Sequence, residues 1–100
     1  MNTALKLARE YGIDIQFADL GDWGVDELRS EYDPNGPSIR INIRVAEQMT
    51  ADELGEFVAF SVGHELYHHR ENIGEIEKLP ERKDREIAAD AFARRLLHRQ

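Results

Sequence analysis

Over residues 38–45, SIRINIRV, apolar and polar positions alternate without a break. Ile39, Ile41, Ile43 and Val45 fall on one side, and Ser38, Arg40, Asn42 and Arg44 on the other. A period of two with a β-branched face predicts a strand that buries one side. A shorter alternation, IDIQFADL over 13–20, sets Ile13, Ile15 and Phe17 against Asp14 and Gln16 and predicts a second strand. The segment DELRSEY, 26–32, alternates more weakly. It reads as the outer strand of a hairpin with 38–45, turned by DPNGP near Asn35 and Gly36.

Elsewhere the spacing is helical. Thr3 to Tyr11 predicts a short helix with Thr3 as N-cap, Leu5 and Ala8 on its apolar side, and Gly12 as the stop. TADE, 50–53, is a capping box in which the Thr50 hydroxyl accepts from the Glu53 amide and Glu53 reaches back. The helix it opens runs to about Arg70. ENIGEIEKLP, 71–80, holds a glycine and a proline and interrupts the helix. Pro80 fits the first turn of a last helix, with Glu81 near its positive end, and that helix reaches almost to Gln100. The expected class is α+β: an N-terminal helix, a small, mainly antiparallel three-stranded sheet, and two further helices.

At 100 residues the chain is expected to form one domain, 1–100. Thirteen basic against twenty acidic residues leave a net charge of −7, which disfavours direct binding to nucleic acid or to anionic lipid. Cysteine is absent, so thiolate catalysis and cysteine zinc sites are excluded, and a metal must be held by His, Asp or Glu. MNTALKLAREYG does not read as a signal peptide, and no run approaches the roughly 20 apolar residues of a membrane span. A cytoplasmic protein is the expectation.

The chemistry concentrates in SVGHELYHHRE, 61–71, which holds three of the four histidines. His64, Glu65 and His68 form H-E-x-x-H. On a helix, positions four apart project about 40° from each other, so both imidazoles can converge on one ion. Glu65, one step round, stands beside that ion, where it can take a proton from water. Leu54, Phe57 and Phe60 project on the same side as the two histidines, so the pair extends an apolar face. The alternative is a solvated histidine cluster on a polar face. A catalytic metal needs a third protein ligand. Glu86 supplies one, with Asp90 one turn on, on a face shared with Ala89, Ala93 and Leu97. Glu86 as metal ligand and Asp90 as acceptor for a ligand histidine's free N–H would answer both charges. Taken alone, Glu86 also reads as an exposed charge. Glu71, Glu75 and Glu77 lie close in sequence, but a loop this short makes their return to the helix face awkward. A third histidine six residues after His68 is ruled out, because position 74 is glycine.

GHELYHH followed by REIAADAFARRLL resembles the zinc metallopeptidases whose third ligand is the glutamate of an E-x-x-x-D motif. More narrowly, the chain resembles the ImmA/IrrE family from about Thr3 to Leu97. The resemblance implies a minimal zincin-like domain with His64, His68 and Glu86 as ligands and Glu65 as the base for peptide hydrolysis. It implies that Asp90 orients His64. One Zn²⁺ per chain is the implied cofactor, with Mn²⁺ or another divalent ion open at such a donor set. The implied activity is narrow-specificity cleavage of a protein substrate, a helix-turn-helix repressor of a prophage or mobile element. The alternative is a metal-bound interaction module that masks such a partner and leaves it intact. A structural zinc domain fits less well, because no fourth ligand stands out.

Tyr67 stands where many relatives carry glycine. Tyr67 and His69 are either partly exposed helix residues or donors that polarise the scissile carbonyl. His98 is expected to be solvated. The strand face bearing Arg40 and Arg44 is either solvated or the wall of a groove that a peptide joins as a further strand. Trp23 is a core plug or a substrate-side aromatic.

Overall fold

The computed structural model describes residues 3–21 and 29–98. Trp23 and the first part of the 26–32 strand lie outside the described residues. The elements are α1 (Thr3–Glu10), β1 (Asp14–Ala18), β2 (Ser30–Asp33), β3 (Ser38–Asn42), α2 (Ile43–Ala46), α3 (Ala51–Asn72) and α4 (Arg82–Leu97). The chain is α+β, with a three-stranded sheet ordered β1-β3-β2. The hairpin makes β2 antiparallel to β3. β1 joins the other edge of β3 and runs parallel to it, so the sheet is mixed and not mainly antiparallel. The more apolar strand takes the centre: Ile39 and Ile41 are fully buried, and Phe17 on the edge strand is 50% exposed.

The strand expected over 38–45 ends at Asn42, although the alternation continues. The reason is a cap. The Asn42 side chain accepts from the Arg44 amide at 3.1 Å and starts α2. Its Oδ1 also accepts from the Leu20 amide, and its Nδ2 donates to the Gly21 carbonyl, which ties the end of β3 to the chain leaving β1. Inside that turn of helix Val45 remains buried while Ile43 is turned partly outward. Arg40 and Arg44 therefore do not share a strand face. Arg40 pairs with Glu31 on the sheet, and Arg44 forms a two-point ion pair with Asp19.

On α1 the buried pair is Ala4 and Ala8, four apart; Leu5 is 36% exposed. Gly12 has a φ of 72°, the left-handed conformation that a helix-ending glycine adopts without strain. The capping box at Thr50 and Glu53 is formed. α4 begins at Arg82, after the residues expected to open it, with Glu81 at the N-cap position and no bond from its side chain. The core joins Ala4 and Ala8 of α1 and the two central isoleucines to Val62 and Leu66 of α3 and Phe92 and Leu96 of α4. Leu96, not Leu97, is the core leucine of α4. No helix among the described residues is long and apolar enough to cross a membrane.

Two features of the packing position the site. Gly63 lets α3 and α4 approach closely, since a Cβ built on it would lie 3.0 Å from the Cα of Ala93. Ala89 and Ala93 complete that contact and are fully buried. On the sheet side, Ser30 and Tyr32 pair with Ile41 and Ile39 and so point toward the helices. They meet Glu65 and His69 of α3. Two strand residues span about 6.7 Å and four helical residues about 6 Å, so positions i and i+2 of β2 match i and i+4 of α3.

Candidate metal centre

These contacts divide the quoted helix segment into two faces. Glu65 and His69 look toward β2, and His64 and His68, a step of about 100° away, look toward α4. His64 Nε2 and His68 Nε2 lie 3.3 Å apart. Glu86 of α4 brings its Oε2 to 2.9 Å from His68 Nε2 and 3.2 Å from His64 Nε2. Three donors at about 2.0–2.1 Å from a tetrahedral zinc ion stand about 3.3 Å from one another. The separations match that triangle.

The far side of each imidazole decides its chemistry. His64 Nδ1 is 2.7 Å from Asp90 Oδ1, and His68 Nδ1 is 2.8 Å from Glu71 Oε1. An ionised carboxylate only accepts, so each Nδ1 carries a hydrogen, and in the neutral ring that leaves Nε2 as the atom that can ligate an ion. With both rings neutral, the two Nε2 atoms and Glu86 Oε2, within 3.3 Å of one another, would repel unless a metal ion or a proton lay among them. Burial alone would lower the proton affinity of His68, but its bond to Glu71 and the charges of Glu65 and Glu86 outweigh burial and raise it. The donor set, two imidazoles and a carboxylate, is one that zinc accepts.

Glu65 has a different environment. Only 5% exposed, it accepts a 2.6 Å hydrogen bond from the Ser30 hydroxyl. Burial pushes its carboxyl up, against the opposing pull of His64 and of the Ser30 bond. One of its oxygens lies within 4.8 Å of a nitrogen of each histidine. Glu86 comes closer, and Glu65 is engaged by the strand.

All of these groups line one open cleft of about 620 Å³ between β2 and the two long helices. Phe60, one turn before His64, forms an apolar part of its wall, and Arg29 and Arg82 are basic parts. The structure thus brings together His64, Glu65, His68, Glu86 and Asp90. Tyr67 and His69 stand apart from the cleft. The Tyr67 ring packs 6.1 Å from that of Phe92, and His69 is buried with its Nδ1 2.6 Å from the Tyr32 hydroxyl. His98 caps the end of α4 and is exposed, as expected.

Two partners were missed in the sequence. The shortness of the loop argues against Glu71 as a ligand, yet its i+3 spacing from His68 signals a neighbour on the same face. Ser30 carried no local signal, because only the docking of β2 on α3 brings it to Glu65. No family model, curated protein or solved structure matches the chain.

Proposed function

We propose that the protein is a zinc-dependent metalloendopeptidase of the ImmA/IrrE type, with His64, His68 and Glu86 as metal ligands and Glu65 as general base. The observation that carries this reading is the convergence of three potential ligand atoms within 3.3 Å, each imidazole held from behind by a carboxylate. A bound divalent ion, zinc before manganese, would supply Lewis acidity at that point, polarising a carbonyl and acidifying water. Glu65 takes the proton of the attacking water and delivers it to the amine nitrogen as the C–N bond breaks. Its burial favours holding that proton in between, and Ser30 keeps the carboxylate aimed. Asp90 and Glu71 fix the imidazole orientations. The open cleft suits an extended segment of a protein, and the motif resemblance points to a helix-turn-helix repressor as the substrate.

The test is metal content by plasma mass spectrometry, with cleavage of a panel of such repressors read on gels. Wild type is expected to hold about one zinc per chain, with loss in both His68→Ala and Glu86→Ala. Glu65→Gln is expected to keep the metal and lose cleavage by at least about 100-fold. A folded wild type that takes up no zinc removes the reading. A repressor bound tightly but left intact by the zinc-loaded protein would replace proteolysis with masking.

A further inference from the structure

Beside the cleft lies a second pocket of about 320 Å³, and the two share Tyr32, His68, Arg82 and Glu86 in their walls. Its wall also carries Lys78 and Arg85, which with the shared Arg82 make three basic side chains. Three cations around one small pocket stand out in a chain whose net charge is −7. The chain holds them there by its backbone. Gly74, at a φ of 79°, turns the segment after α3, and the Glu75 amide donates back to the Arg70 carbonyl. Arg85 donates to the carbonyls of Leu79 and Pro80 at 2.7 and 3.1 Å, which pins the loop bearing Lys78 to the first turn of α4.

The charges in this pocket are unevenly matched. Its two carboxylates, Glu71 and Glu86, both face His68, at 2.8 and 2.9 Å. The side chains of Lys78 and Arg82 make no hydrogen bond or ion pair among the described residues. Arg82 is also on the wall of the cleft, one turn before Glu86 on α4. An anion entering the pocket would meet two cations whose side chains have no partner among the described residues, in a wall that also carries His68 and Glu86.

We infer that this pocket is a subsite for a carboxylate of the substrate peptide, bound by Lys78 and Arg82 next to the bond that is cut. The inference rests on the peptidase reading for its substrate, and it deepens that reading by naming a class: peptide segments with an acidic residue beside the scissile bond. A chain-terminal carboxylate offers the same chemistry, so the experiment separates the two sources.

The experiment is a binding titration that needs no hydrolysis. Zinc-loaded Glu65→Gln protein, labelled with ¹⁵N, is titrated with alanine hexapeptides carrying one Glu or one Gln, walked along the chain. Each is made with both ends capped and again with a free C-terminus. The amide signals of residues 78–85 report occupancy. At one position, the capped Glu peptide is expected to bind roughly two- to thirtyfold tighter than its Gln partner, the range for two solvent-exposed ion pairs. That preference is expected to weaken at high salt and to vanish in Lys78→Ala/Arg82→Ala. It should persist in Lys78→Arg/Arg82→Lys, which separates lost charge from lost folding. A preference confined to free C-termini assigns the pocket to the terminal carboxylate. Equal affinity for all Glu and Gln peptides, or no binding, overturns the inference. Wild type that prefers Glu peptides yet cleaves nothing keeps the subsite and loses the peptidase reading, whereas cleavage without the preference does the reverse.

Discussion

Glu71 and Asp90 approach the two histidines from behind, one from the end of α3 and one from α4. Each accepts the Nδ1 hydrogen, so each decides which nitrogen faces the centre. The burden differs: the Glu71 side chain is 5% exposed and that of Asp90 40%. Substituting a carboxylate that orients a ligand histidine typically weakens metal affinity 10–100-fold. We predict losses in that range for Glu71→Ala and for Asp90→Ala, measured by competition with a chromogenic zinc chelator. The larger loss belongs to Glu71, because water substitutes less readily where solvent is excluded. Unchanged affinity in both variants would sink the assignment of these carboxylates. Sequence spacing on α3 was enough to place Glu71 beside His68. It was not enough to separate a ligand from a residue that holds one.

At the scale of the element, the close contact of α3 and α4 sets the reach of Glu86 to the histidine pair. A methyl group on Gly63 would meet Ala93 at 3.0 Å on Cα and 3.1 Å on Cβ, and Leu96 at 3.4 Å. Backbone does not yield as a flexible side chain does, so the contact must give by a few tenths of an ångström. Overpacking of this kind costs about 1–3 kcal/mol, against a gain of up to about 1 kcal/mol from better helix propensity. Gly63→Ala is therefore expected to lower the melting temperature and to weaken zinc binding together. Zinc affinity at the wild-type level in a destabilised variant would show that the spacing does not govern the site. At the start of α3, the backbone N–H of Thr50, followed by its side chain, holds the Glu53 carboxyl below the usual glutamate range. A group depressed in the folded state stabilises it above the unfolded value, and loses that contribution as pH falls through the folded one. Wild type should thus be more stable than Glu53→Gln at neutral pH. The gap should close on acidification below the usual glutamate range, as followed by thermal melts across pH. A gap that is constant with pH would mean that the cap does not depend on the carboxylate charge.

For the whole molecule, the proposed ligands come from two helices separated by a loop, so a bound ion would tie α3 to α4 and act on global stability. Zinc at about 100 times its dissociation constant stabilises by about 2.7 kcal/mol, worth about 10–20 °C in the melting temperature of a chain this size. We expect that rise in wild type and none in His68→Ala, by calorimetry with and without chelator. What was legible in the sequence was local. The capping box, the stop at Gly12, the faces of α3 and the convergence of His64 with His68 all involve residues within about four positions, whose relative directions helix geometry dictates. The alternation through 38–45 misleads because Asn42 offers a cap that outweighs the pattern. Other features depended on docking. The parallel pairing of β1 with β3, the Ser30 hydroxyl on Glu65, the seat of Gly63 against Ala93 and the reach of Glu86 join residues from different elements. Their sequence positions leave such contacts undetermined, because separate elements can pack in many registers. Only the burial of the shared core selects the one in which they meet.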